Sequence, residues 1–311
     1  MRKAAEKTLA WAAAQDWLCD AVPGCLVTFA PDHFALLLGA DMRYDDGSES
    51  GTRTGWVLPC LDRYDDEIRF RPECHWWEKT VDCIRTFRAV CDGRLVVSGP
   101  NLQGGLDALA AIRGPQQLLM DLLDCPEDVK AALRQIDQAL VDVRQALAAE
   151  LDIATWGSTT RHGFYGTGLV DVPQCDFSAM IGPAAFREFG LPSLIRECAG
   201  LQGSIYHLDG QEALPHLPAL AEVPGIHGIQ WQPGARGADK DWSALFRQID
   251  DLGLGQFRTG TRADVRDLWR TLKSRHRLYV CGVHDIHTRD EAERFLAEWN
   301  ERLEPIDGEC R

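Results

Sequence analysis

From Thr80 onward the chain alternates short apolar runs with longer amphipathic ones, and that rhythm leaves it few folds to choose from. Strands are expected at Leu95 to Ser98, up to Phe164-Tyr165, at Ser204 to Tyr206, Ile226 to Trp231, Gly255 to Phe257 and Leu278 to Val280. Helical spacing falls between them, at Val81 to Val90, Pro126 to Leu151, Pro183 to Cys198, Ala213 to Leu220, Trp242 to Leu252, Ala263 to Lys273 and Asp290 to Leu303. Strand and helix in strict turn, with short connections, predict an α/β fold with a parallel sheet covered by helices. The number of units favours a closed (β/α)8 TIM barrel over an open sheet. A doubly wound sheet would carry a Gly-x-Gly-x-x-Gly turn after its first strand, and none occurs.

The chain reads as one barrel domain over residues 1–311, with residues 1–80 as an irregular N-terminal extension. That extension is expected to contribute a helix over 3–20 and a buried strand from Cys25 to Ala30. A Gly/Asp/Arg-rich, lid-like loop follows within 40–75, where the alternation Glu67-Ile68-Arg69-Phe70 predicts a further strand.

Net charge is −14, with no dense Lys/Arg cluster, which argues against nucleic acid or an anionic membrane surface and leaves a small-molecule substrate. No run approaches the roughly 18 apolar residues of a membrane span. The eleven cysteines are scattered without tight spacing, so they read as reduced thiols in a cytoplasmic protein. Glu6 and Lys7 interrupt the Ala-rich start before it can serve as a signal peptide.

Barrel enzymes carry their reactive groups at the C-terminal ends of the strands. The expected strand ends supply Asn101 with Gln103, Tyr165, His207 with Asp209, Gln230 with Trp231, and Cys281 with His284. His207 and Asp209 are two apart in a strand, share a face, and precede a turn-permitting Gly210. With Cys281 they would make a zinc site with one open position. His284 and His287 flank Cys281 and offer replacements for Asp209, with Asp285 between them. Trp76, Trp77, Trp156 and Trp231 serve either as packing or as walls for an apolar or cationic substrate. The serine-hydrolase elbow, the phosphate loop and His-Glu-x-x-His are all absent.

The run Asp176-Phe177-Ser178-Ala179-Met180-Ile181-Gly182-Pro183, then Tyr206-His207-Leu208-Asp209-Gly210 and Cys281-Gly282-Val283, resembles the uroporphyrinogen decarboxylase superfamily over roughly residues 95–303. The Arg-rich N-terminal motif of the decarboxylases is missing, since Met1 to Val22 offers a single arginine, Arg2, with Lys3 and Lys7. The chain therefore looks more like the corrinoid-linked methyltransferases, which bind zinc through a His-x-Cys pair and a distant Cys. His207 and Cys281 match two of those positions, and Asp209 stands where the other Cys is expected.

The resemblance implies a zinc-dependent methyltransferase that moves methyl between a small substrate and a corrinoid cofactor. That corrinoid would sit on a partner protein, because no Asp-x-His-x-x-Gly occurs here. His207, Asp209 and Tyr165 would be catalytic, and Asn101, Gln103, Gln230, Trp231 and His284 would contact substrate. A homodimer is open to it, since related barrels often pair. The alternative is a decarboxylase or lyase that uses Asp209 and His207 on a carboxylated substrate without metal.

Overall fold

Residues 1–44, 55–273 and 277–300 are described by the computed structural model. Their strands, in chain order, are Gly24–Leu26 (β1), Asp41–Tyr44 (β2), Gly55–Leu58 (β3), Val96–Ser98 (β4), Ser158–Thr159 (β5), Tyr165–Gly166 (β6), Val170–Asp171 (β7), Gly203–Asp209 (β8), Gly228–Gln232 (β9), Gly255–Gly260 (β10) and Leu278–Val283 (β11). The last five form one parallel sheet in sequence order, curled into a half-barrel by the right-handed twist of its strands. β1 and β4 make a separate parallel pair. Pairing among the described residues does not close the eight-stranded cylinder expected from the sequence.

Register carries the functional consequence of this sheet. His207 on β8 lies beside Gln230 on β9, Gln230 beside Phe257 on β10, and Phe257 beside Tyr279 on β11. Residues in one row share a face, so these four side chains point the same way. Tyr206 and Leu208 alternate with them and are buried in the core. At the start of the sheet Gly228 and Gly255 sit side by side. A Cβ on Gly255 would meet the Arg277 carbonyl at 2.5 Å, so only glycine lets the backbones approach this closely.

The helix Pro126–Leu151 supplies the largest packing face. Pro126 opens it, since a proline at the first turn loses no helical hydrogen bond. Val129, Leu133, Ile136, Leu140, Val143 and Leu147 recur at helical spacing and are all buried. Each such side chain contributes about 1.5–3 kcal/mol by leaving water.

Three local expectations are corrected by the structure. Residues 67–70 form no strand. Ile68 packs into the core, and its N–H is satisfied by the Gln135 side chain at 3.0 Å instead of a neighbouring strand. Tyr165 belongs to a two-residue antiparallel pair with Ser158–Thr159, and the sheet position beside β8 is taken by Val170–Asp171. The N-terminal strand pairs with β4 in parallel, and the loop beyond it forms an antiparallel hairpin of β2 and β3. Residues 45–54 of the loop expected to act as a lid lie outside the described residues.

Candidate active site

At the C-terminal end of β8, ligand atoms of Asp176, His207 and Asp209 all lie within 4.8 Å of one another. His207 and Asp209 arrive together because β8 runs on to Asp209, three residues past the apolar stretch that predicts it. Asp176 comes from the segment after β7, which follows the end of β8: the His207 N–H donates to the Pro173 carbonyl at 2.9 Å, and Gln174 bridges to His207 in parallel.

The turn that carries Asp176, a 3-10 helix over Asp176–Met180, is held from both ends. Asp107, on the helix Gly105–Arg113, accepts the N–H groups of Asp176 and Phe177, each at 2.9 Å. His216 Nε2 meets the Ser178 carbonyl at 2.9 Å, and its ring packs on Phe186 with centroids 4.6 Å apart. Phe186 opens a π-helical turn through Gly190, where a Cβ would lie 2.8 Å from the Phe186 ring.

Three carboxyls in this region, those of Asp107, Asp176 and Asp32, are shifted toward their protonated forms. Burial raises Asp107 to about 7, and nearby Asp176 adds to the effect. Asp176 is exposed at the mouth, yet enclosing protein raises its carboxyl most. Asp209 raises it further, while His207 and Arg161 oppose. Asp32, which precedes the helix His33–Leu37, is raised by burial and then by Asp176. The N-terminal segment therefore reaches the same mouth.

Two groups that the sequence pattern does not flag sit at the tip after β5. Arg161 donates to Gln174 Oε1 at 2.6 Å, and the other end of that amide donates to Asp176 Oδ2 at 2.8 Å. With the Asn101 amide turned so that its oxygen faces the guanidinium, the second Arg161 nitrogen donates to that oxygen at 3.2 Å and the Asn101 NH2 donates to Asp171 at 3.1 Å. Asp171 in turn accepts from Arg144 at 3.0 Å. His162 lies 6.3 Å from the His207 ring and 4.8 Å from Phe257. Burial, with help from Arg161 and His207, lowers His162 to about 4, so it is an uncharged wall at neutral pH.

The other expected residues are dispersed. Gln230 Oε1 contacts His207 Nδ1. Trp231 points to the opposite face of β9 and packs edge-on against Trp242 at 4.9 Å. Tyr165 gives its hydroxyl to the Trp156 carbonyl at 3.2 Å. Gln103 is buried, and His284 is exposed. Cys281 is exposed and outside the three-ligand cluster, with its sulfur 3.7 Å from the His162 carbonyl. It is the extra residue of a bulge, since Val280 pairs with Arg258 and Gly282 with Thr259. Asp285 is committed to Arg262 at 3.0 Å. Trp76 donates to Asp41 at 3.2 Å and lies under Lys79, and Trp77 packs edge-on to Phe70.

This architecture is an α/β fold with a curled parallel half-barrel sheet and a polar cluster at its strand ends. A methyltransferase from Methanosarcina mazei superposes with a TM-score of 0.59 at 10% identity, covering 98% of this chain and 85% of that one. A B12-independent methionine synthase from Shewanella sp. W3-18-1, in complex with selenomethionine, gives 0.50 at 10% identity, covering 96% and 86%. At this identity the likeness shows the fold alone. No protein-family model matches the chain, and no curated protein matches it.

Proposed function

We propose that this protein is a zinc-dependent methyltransferase whose ion is held by Asp176, His207 and Asp209. The observation that carries the reading is the convergence of one imidazole and two carboxylates within 4.8 Å at the mouth of a parallel sheet. Donors on one tetrahedral zinc lie about 3.3 Å apart, given bonds of about 2.0–2.1 Å. Closing the remaining distance, at most about 1.5 Å, takes only side-chain rotation of residues at an open mouth. The donor set of two oxygens and one nitrogen suits zinc and favours a substrate oxygen or nitrogen over a thiol. Cys281 is left out of the ligand set on this reading.

A zinc ion held there supplies Lewis acidity to the substrate heteroatom whose bond to methyl is made or broken. The rest is work of the chain. Gln230 Oε1 accepts a hydrogen bond from His207 Nδ1–H, which fixes the tautomer and leaves Nε2 as the ligating nitrogen. Neutral His162, with Phe257 and Tyr279 stacked 5.3 Å apart, lines the adjoining face without adding charge. The methyl acceptor or donor is a corrinoid on a partner protein docked over the mouth. The names of the fold neighbours support methyl transfer in general, and since one of them is B12-independent the corrinoid rests on the sequence resemblance.

The test incubates zinc-loaded protein with methoxylated and methylamino compounds and free cobalt(I) corrinoid, following the methylcobalt absorption. Transfer that needs both substrate and zinc supports the proposal. Transfer from no compound, or undiminished transfer after chelation, counts against it.

A further inference from the structure

We propose that Arg161 is an anion-binding residue, and that the compound taken at this site carries a carboxylate a few bonds from the heteroatom that exchanges methyl. The inference rests on the function proposed above and names its substrate class.

Arg161, like Arg258 on Gln256, lacks the carboxylate partner that many guanidinium groups of this protein have, and unlike Arg258 it is tied through Gln174 to Asp176. Arg144, Arg113 and Arg262 each have a carboxylate oxygen within 3.0 Å. Arg161 donates instead to two neutral amide oxygens, those of Gln174 and Asn101, and among the described residues no carboxylate comes within ion-pair distance of it. A guanidinium has five N–H donors in a rigid fork, so three remain for a ligand. The residue is exposed at the mouth, while its charge is partly stripped of water, and that loss of solvent lowers its pKa. An arginine in that condition gains from any carboxylate that reaches it.

Placement decides which carboxylate this is. Gln174 spans Arg161 and Asp176 with a single amide, so the free donors lie beside the ligand cluster and not at a remote patch. Asp171 is already paired with Arg144. With Asp176 and Asp209 committed to a divalent ion, the charge of Arg161 is left unmatched. A substrate with one carboxylate matches it, and the heteroatom then falls toward the cluster.

The test uses paired probes on the full chain: methoxyacetate with methoxyacetamide, and N,N-dimethylglycine with its amide. Affinities are read by ligand-observed NMR for wild type, Arg161→Gln and Arg161→Lys, with zinc and after chelation. Wild type is expected to bind at least one acid roughly ten- to a hundredfold more tightly than its amide. Arg161→Gln should bring the two within about threefold, and Arg161→Lys, which keeps charge without the fork, should fall between. Equal binding of every acid and amide by wild type overturns the inference, as does a preference unchanged in both variants. If Arg161→Gln does not fold, an undiminished preference in Arg161→Lys alone overturns it. An Arg161-dependent preference without methyl transfer sinks the proposed reaction and spares this inference. Methyl transfer with the same KM in Arg161→Gln does the reverse.

Discussion

Gln230 Oε1 lies against Nδ1 of His207, one strand across in the same register row. The contact assigns the imidazole proton to Nδ1 and leaves the Nε2 lone pair for a ligand, which is how proteins commonly prepare a ligating histidine. Replacing Gln230 with Leu keeps the side-chain bulk and removes the acceptor. Zinc affinity measured by competition with a chromophoric chelator should fall about ten- to a hundredfold, while the melting temperature moves little. Unaltered affinity would show that His207 does not ligate through Nε2.

Asp107 uses both carboxylate oxygens on backbone N–H groups at the start of the Asp176 turn. Asparagine offers one oxygen, and its NH2 then faces a donor. Asp107→Asn is expected to destabilise the fold by about 1–3 kcal/mol in urea unfolding and to weaken metal binding together with it. Loss of stability with metal affinity preserved would mean that the turn holds Asp176 by other contacts.

Buried Glu197 is raised to about 8, first by burial and then by Asp171, Asp107 and Asp137, with Arg144 opposing. Its folded value lies above its unfolded one, so unfolding releases a proton in the window between about pH 4.5 and 8. Stability therefore falls as pH rises through that window and levels off above it. Asp107, raised to about 7, acts in the same direction. Glu197→Gln, which mimics the neutral form, should be near neutral at pH 5 and stabilising at pH 8, by on the order of a few kcal/mol. Urea midpoints across the range check this, and parallel curves for the two proteins would refute it.

The helix Pro126–Leu151 can be read from the sequence to the residue, because its apolar period is long and Pro126 marks its start. The apolar part of β8 ends at Tyr206, and His207 and Asp209 are read into the strand only by their two-residue spacing before Gly210; polar ends at a strand mouth are what a site requires. Arg161 and His162 are hidden because β5 is only Ser158–Thr159, two hydroxyl residues with no apolar signature. The one available signal is an Arg-His-Gly turn after Thr160. Asp176 is visible as part of an acidic loop, but its approach to His207 depends on the Pro173 and Gln174 pairing beside β8. That is a tertiary contact, and no local spacing encodes it. Cys281 looks equivalent to His207 as a strand-end residue until the bulge at its own position alters the register.

The ligand set is the claim on which the rest depends, and zinc content of the purified protein measured beside Asp176→Asn and Cys281→Ser tests it most directly. The account predicts about one zinc per chain in wild type and in Cys281→Ser, and at least a tenfold loss of affinity in Asp176→Asn. Wild type that binds no zinc, or zinc lost from Cys281→Ser and kept by Asp176→Asn, would contradict it.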